Sequence, residues 1–564
     1  MVKKKIQIRS PRKIHERFLS MGYFPPELPR CFYSTNFGLH RQHLLTNFTS
    51  IPPLKNGDPA YYSYKTNRTD IYFPRFGFEH RKHSIVNPVN YFFLSFTISD
   101  KWMEIKKKIN ESKYSSSKPI FDPSDERAVL RPNFDSRDRF EMHIGAIENY
   151  VLKTDVSRFF HSIYTHSISW AAHGKDYAKK NRSYNDFGNL LDLLVRNSQD
   201  GQTIGLPVGP DTSRVISELI GSALDVEIRK SLPRGVEAIR FVDDYIVGVP
   251  TREVGERYAS LVRKILTEFE LDINHRKTGV YPSGLSHLNG WKEEVRSLAP
   301  IVPFQDGQLE RFFYGIESIA KRDSDKNVYL FALSRLRFSF LRDQDWRAIE
   351  DHILPIARLD PSLIAPVCDI VITRNTIKPI TDCGRLEKFA TSLVKNLVSL
   401  RNYGELTWIL HMCIRLKIKI SSRILRPLFD EENPFIAILI CDLDDKGLVK
   451  GSLKRSHWNT FLNEDGLHSH MWLYAYEATL KGFTKKKNTN FLKNHKYFKY
   501  IFEKEIEFYR SSGQSLSLRE LMLKASFNWQ VRRSTLNFGE DLDMDADLDF
   551  EEEDLEDATT EDYV

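Results

Sequence analysis

Cysteine is scarce in this 564-residue chain: Cys31, Cys368, Cys383, Cys413 and Cys441 are scattered, odd in number and form no CxxC pair. That usage excludes a disulfide framework and a cysteine-based zinc site, and it predicts reduced core thiols. Long apolar runs are missing as well. No stretch approaches eighteen uncharged apolar residues, and the N-terminus, MVKKKIQIRSPRK, is basic without the apolar region of a signal peptide. A soluble, cytoplasmic protein with no membrane association is expected. The third absence is local: from Glu540 to Val564 there is no Lys or Arg, while fourteen of the 75 acidic residues fall there. The rest of the chain then sets 82 basic residues against 61 acidic ones, a surplus of 21 hidden beneath a net charge of +7. A basic body suits a polyanion, of which nucleic acid is the usual one. The acidic tail has too little to bury and is expected to be disordered, either a solubilising appendage or a competitor for the basic groove.

What is present is ordinary globular protein, 41% hydrophobic, long enough for two to four domains with real cores. Its centre is Ala238 to Pro250, AIRFVDDYIVGVP. Two short β-prone runs, Ala238 to Val242 and Tyr245 to Val249, flank Asp243 and Asp244, which predicts a hairpin with the aspartates as its two-residue turn. Adjacent carboxylates repel, and a divalent cation is the readiest relief. A lone Asp-Asp is more often plain turn chemistry, as a second pair, Asp444-Asp445 in ICDLDDKG, illustrates. What distinguishes the first pair is its company.

Upstream, GYFPPELPRCF and FPRFGFEHRKHSIVNP interleave basic residues with prolines and aromatics, and a helical stretch is expected around Tyr91 to Ile109. Arg127, Arg131, Arg137 and Arg139 follow, and one or two of them, Arg131 and Arg137 foremost, are expected to hold a triphosphate by forked hydrogen bonding. Tyr150 to Asp155 reads as a strand ending on a carboxylate, with helical spacing from Phe159 onward. Asp155 serves either as a metal ligand or as an N-cap. Gly201 to Glu227 is a Gly/Pro-rich loop running into a helix that carries Ser213, Ser217 and Glu218. After the hairpin come an amphipathic helix from Arg252 to Phe269 and a strand-like segment, LDINHRKTGVYP, bearing Lys277.

These residues resemble, in order, motifs A to D of reverse transcriptases: Asp155 in TDVSRFF, Gly209 in GLPVGP with Ser213, FVDD from Phe241 to Asp244, and Lys277 in LDINHRKT. GYFPPELPRCF, SIYTHSISWAAHGK and a GLPVGP loop in place of PQG are similar to the bacterial antiphage reverse transcriptases of the abortive-infection and defence-associated types. Val208 departs from the usual Gln, and no RNase H, integrase or retron element follows.

The resemblance implies an α+β fold with right-hand fingers and palm: residues 1–135 as N-terminal extension and fingers, 136–300 as the reverse transcriptase core. An all-α, HEAT-like helical-repeat domain (301–530), packed beside the palm in place of a thumb, and a disordered acidic tail (531–564) complete it. Apolar stripes at Leu309, Phe312, Phe313, Ile316 and Ile319, and at Leu386, Phe389, Leu393, Leu397 and Leu400, agree with helices there. The second stripe is closed by Arg401 to Gly404.

By the same resemblance, Asp155 and Asp243 bridge two Mg2+ ions with the Val156 carbonyl, and Asp244 supports them. Phe160 is a steric gate against a ribose 2′-OH, Lys277 neutralises or protonates the departing pyrophosphate, and Gly209 and Ser213 line the nucleotide pocket. The implied substrates are dNTPs and the product DNA, made under protein priming without a conventional template. The alternatives are copying of an associated noncoding RNA and a catalytically silent nucleic-acid scaffold. A homo-oligomer or a complex with a companion reverse transcriptase is the implied assembly.

Overall fold

The computed structural model describes residues 7–512 except 77–78, 124, 131–134, 284–289, 301–306, 324–326, 337–342, 381 and 485–488. Arg131 and the acidic tail lie outside the described residues.

The chain enters through α1 (Pro11–Met21), with proline in its first turn where no N–H is needed. An antiparallel hairpin follows, β1 (Thr69–Phe76) and β2 (Glu79–Ile85). Next comes α2 (Pro88–Asp100), capped by Asn87, whose side chain accepts from the Val89 N–H. Nearly all of α2 is buried, so it carries no amphipathic pattern to read. The single helical stretch expected around Tyr91 to Ile109 is two helices, broken at Lys101, the second running Trp102–Ile109.

A four-stranded antiparallel sheet in the order β4-β5-β3-β6 is the palm-like centre: β3 (Tyr150–Asp155), β4 (Ala238–Phe241), β5 (Asp244–Val249) and β6 (Gly279–Pro282). Side chains alternate across it. Val151 and Ile246 pack on Ile144 and Phe140 of α3 (Asp135–Ile147), while Leu152, Val247 and Val249 turn into the main core. Between β3 and β4 lies α4 (Asp211–Ser231), and after the hairpin α5 (Arg252–Glu268) packs on β3, β5 and β6. The β6 strand is shorter than expected. Residues 274–277 form a turn closed by Lys277 N–H to the Asn274 carbonyl (3.0 Å), and pairing with β3 starts only at Gly279.

The described residues of the C-terminal half are mainly helical and depart from all-α where Ile420–Ser421 and Val449–Lys450 pair as two-residue parallel strands. The first expected stripe is buried in full on α6 (Gln308–Arg322). The second occupies α7 (Gly384–Leu400), where Leu400 is 65% exposed and the helix ends on Arg401 at φ +58°. Gly404 does not close that helix. It lies in the first turn of α8 (Tyr403–Leu416), where a β-carbon would collide with the Tyr72 backbone of β1. Further on, α9 (Pro434–Asp445) is a buried helix capped by Asn433.

This half docks on the hairpin and the N-terminal segment. His80 meets Glu405 at 3.1 Å, Trp408 Nε1 donates to the Glu27 carbonyl (2.7 Å), and Tyr33 N–H donates to the Phe508 carbonyl (3.2 Å). Phe508 is sunk among Tyr23, Phe37 and Trp472. All five cysteines are free thiols. Among the described residues, no helix is long and apolar enough to cross a membrane.

Candidate active site

Register builds the site. Tyr150 pairs with Val249 and the ladder runs without slip to Asp155 opposite Asp244. Counting by twos from Val151 and Ile246 puts both carboxylates on the α3 face of the sheet, just beyond the helix's N-terminal turn. Asp243 follows from the turn, which is displaced by one residue from the expected place. Phe241 pairs with Asp244, so the turn residues are Val242 and Asp243, and Asp244 is the first residue of β5. The displacement has a conformational cost. Val242 sits at φ +59°, a left-handed conformation that a β-branched residue adopts only under constraint, at about 1–3 kcal/mol. Two hydrogen bonds supply the constraint: Val242 N–H donates to Ser117 Oγ (3.0 Å) and its carbonyl accepts from Arg240 Nη1 (2.7 Å). The loop after Asp155 is tied to the same turn, Val156 N–H donating to the Asp243 carbonyl (3.1 Å), and it too contains a left-handed residue, Arg158 at φ +47°.

Electrostatics follow from this crowding. Burial, then the charges of Asp244 and Asp155, push the Asp243 carboxyl up to about 7, with Arg81 of β2 pulling the other way. Burial also raises Asp244, opposed by Arg137 and Lys277. Asp155 is nearly buried; its Oδ2 receives Asn274 Nδ2 at 3.0 Å and Lys277 Nζ at 3.2 Å. Arg137 Nη1 lies 3.7 Å from Asp244 Oδ2, and its Nε donates to Glu141 (3.3 Å), which also pairs with Lys153 (2.9 Å). The site therefore gathers Asp155, Val156, Asp243, Asp244, Lys277 and Arg137.

The donor set fits magnesium: hard carboxylate oxygens whose ionisation is opposed by burial and by one another, a penalty that a divalent cation removes. Among the described residues, one His/carboxylate group brings its ligand atoms within 4.8 Å of one another: Glu464, His468 and His495. Hydrogen bonding speaks against a cation there. His495 Nδ1 accepts from the Tyr497 and Phe498 N–H groups (3.1 Å each), so the proton sits on Nε2, which donates to His468 Nε2 (3.3 Å). The chain ends with His468 Nδ1 donating to the Lys65 carbonyl (3.1 Å). His495 Nε2 carries the proton and the His468 Nε2 lone pair accepts it, so neither nitrogen is open to a metal.

The other expected residues are placed as follows. Phe160 is half-buried on the helix Phe159–Ser162, its carbonyl accepting from the Leu206 N–H (2.7 Å), which fastens it to the GLPVGP loop. Gly209, at φ +128°, and the buried Ser213 flank the start of α4. Among the described residues, no hydrogen bond or ion pair joins either to an aspartate. Arg127 leaves the phosphate candidates: it is buried, paired with Asp211 (2.7 Å) and donating to the Phe24 carbonyl (2.7 Å). Sequence reasoning overlooked Arg81, whose charge acts on Asp243, and Asn274, which braces Asp155. Asn274 sits in the same segment as Lys277, but only the turn that replaces the expected strand brings it round.

Residues 104–299 match the family model described as reverse transcriptase (RNA-dependent DNA polymerase). No curated protein matches. Similar solved structures include apo telomerase from Candida tropicalis truncated of its C-terminal domain, at 13% identity over 45% of this chain and 57% of that one, TM-score 0.29. Apo telomerase from the same organism is 11% identical over 72% and 70%, TM-score 0.30. Telomerase from Candida albicans in complex with a fragment of telomeric RNA is 11% identical over 73% and 67%, TM-score 0.29. The chain thus spans little more than half the length of the first of these. The matched segment contains all three aspartates, the Val242 turn and Lys277, and it is a reverse transcriptase domain, of the nucleotidyltransferase class of RNA-directed DNA polymerases.

Proposed function

We propose that this chain synthesises DNA from dNTPs at Asp155, Asp243 and Asp244. The observation that carries the reading is the cross-strand placement of Asp155 opposite Asp244, with Asp243 on the adjoining turn and Lys277 Nζ 3.2 Å from Asp155. Asp155 and Asp243 would hold two Mg2+ ions, with the Val156 carbonyl as a further oxygen and Asp244 in support. Bound there, the metal pair would supply activation of the attacking hydroxyl and charge neutralisation at the triphosphate. Lys277, half-exposed, is free to swing toward a departing pyrophosphate and give it a proton or a counter-charge. Arg137 and Arg81 offer forked donors for phosphate oxygens, and Phe160 stands where a ribose 2′-OH would be crowded. Gly209 and Ser213 close the nucleotide pocket through backbone and helix start.

The biological reading is an antiphage enzyme of the cytoplasm, acting as a homo-oligomer or with a companion reverse transcriptase. Its helical-repeat half would guide the product and its acidic tail would compete for the basic groove. The wording of GYFPPELPRCF, SIYTHSISWAAHGK and GLPVGP supports it. The test is incorporation of each labelled dNTP by nuclease-treated protein with Mg2+, with and without added RNA, beside Asp243→Asn. Label migrating with the protein on a denaturing gel supports protein priming. Label appearing only with RNA replaces that reading by templated copying, and silence in both arms leaves a nucleic-acid scaffold. Loss of phage restriction in cells carrying Asp243→Asn checks the defence role.

A further inference from the structure

Among the described residues of the palm, the fully buried arginine is the residue three before Asp243. Arg240 is 0% exposed, although it stands on an edge strand of the sheet. Its Nε donates to both oxygens of Asp225 (2.8 and 3.0 Å), Nη2 to Glu218 Oε1 (2.7 Å), and Nη1 to Glu218 Oε2 (3.2 Å) and to the Val242 carbonyl (2.7 Å). Both carboxylates come from α4, and both are held again from outside: Ser112 and Tyr245 donate to Asp225, Ser117 to Glu218. Ser117 Oγ also takes the Val242 N–H. The helix makes room for the guanidinium with a glycine: a β-carbon at Gly221 would lie 2.7 Å from Arg240 Cζ and Nη1. Glycine in the interior of a 21-residue helix is unfavourable, and here the close approach of Arg240 accounts for it.

We infer that Arg240 is a positioning residue: clamped between Glu218 and Asp225 in the notch at Gly221, it holds Val242 left-handed and thereby sets where Asp243 and Asp244 present their oxygens. Both hydrogen-bonding groups of the Val242 peptide flank are gripped by this one network, which joins α4 and the serine-rich segment Ser112–Ser117 to the turn. A buried ion triad is not needed for stability as such, since apolar packing serves at least as well. Control of a strained turn is a task for which the planar fork of arginine is suited and lysine is not. The inference rests on reading the aspartates as the cation site, and the test separates the two.

Arg240→Lys keeps the charge between Glu218 and Asp225 but cannot also reach the Val242 carbonyl as a fork does. Gly221→Ala keeps every charge and crowds the guanidinium, so it stands in should Arg240→Lys not fold. Two readouts are needed: Mn2+ affinity by EPR, which requires no turnover, and dNTP incorporation with kcat and KM resolved. In folded Arg240→Lys or Gly221→Ala, kcat and Mn2+ affinity fall by about tenfold to a hundredfold while the dNTP KM moves by less than about threefold. Adding Val242→Gly, which adopts positive φ without help, restores most of both losses. Wild-type Mn2+ affinity in both folded variants, or losses that Val242→Gly does not repair, overturns the inference. A wild-type protein that binds Mn2+ at the aspartates yet never incorporates nucleotide would defeat the polymerase reading while the Mn2+ comparison still decides the role of Arg240.

Discussion

Asp243-Asp244 and Asp444-Asp445 are the same dipeptide in two settings, and the difference lies in what surrounds the charge. Asp444 and Asp445 end the helix α9, where the macrodipole disfavours acids, and the structure answers with cations: Arg455 pairs with Asp444, and Lys446 with Asp442 one turn back. Asp445 is exposed. Asp243 and Asp244 are instead pressed toward a third acid, Asp155, on a turn whose backbone is strained, and burial lifts Asp243 to about 7. One pair is answered by a cation of its own fold at Asp444, and the other is crowded by a third acid, which is the contrast on which the proposed cation site rests.

The sharpest break in the comparison is activity. Asp243→Asn is expected to lower incorporation by about a thousandfold or more, against less than about twofold for Asp444→Asn, measured as initial rates at saturating dNTP and Mg2+. Next is Lys277→Ala, with an expected loss of about a hundredfold in kcat and little change in KM, seen in single-turnover rates. Asn274→Ala, which removes one of two donors on Asp155 Oδ2, should cost about tenfold in the same assay.

Stability sharpens the contrast further. Because the folded Asp243 carboxyl titrates near 7 and the unfolded one near about 3.9, the folded state binds more protons between those values. Stability of the metal-free protein therefore falls as pH rises through that window, and it levels off above about 7. Asp243→Asn abolishes this contribution, so its Tm relative to wild type should rise from pH 4 to pH 7, by a few degrees at most, in EDTA-treated protein followed by scanning calorimetry. Excess Mg2+ should reverse the order of the two proteins. The smallest effect expected is that of Asp444→Asn, whose partly exposed pair with Arg455 is worth roughly 0.2–1 kcal/mol, lowering Tm by about 1–2 °C without the pH trend.

Much of this was legible in the residues. The apolar, β-prone run YIVGV and the strand-like YVLKTD mark β5 and β3 in the sequence, while the register that sets Asp155 opposite Asp244 is visible only in the fold. The α6 stripe and the α5 helix stand where their spacing put them. The misses share a cause, which is that long-range contacts overrode local preference. Asp is at home in a turn and Val is not, yet the turn is Val242-Asp243, because Arg240 and Ser117 grip the peptide from elsewhere in the chain. Gly404 looks like a helix stop; its real neighbour, Tyr72, is more than three hundred residues away in sequence. Arg127 looks like a phosphate ligand and is a buried partner of Asp211. Asn274 and Arg240 carry no signal of their own, since their meaning is the distance to Asp155 and to the Val242 carbonyl.

The central claim is that Asp243, unlike its twin Asp444, is part of a cation-dependent polymerising site. Labelled dNTP incorporation by wild type, Asp243→Asn and Asp444→Asn, each titrated with Mg2+ under identical conditions, tests it most directly. The expected result is saturable Mg2+-dependent incorporation by wild type and Asp444→Asn and none above background for Asp243→Asn. Equal incorporation by wild type and Asp243→Asn would contradict it.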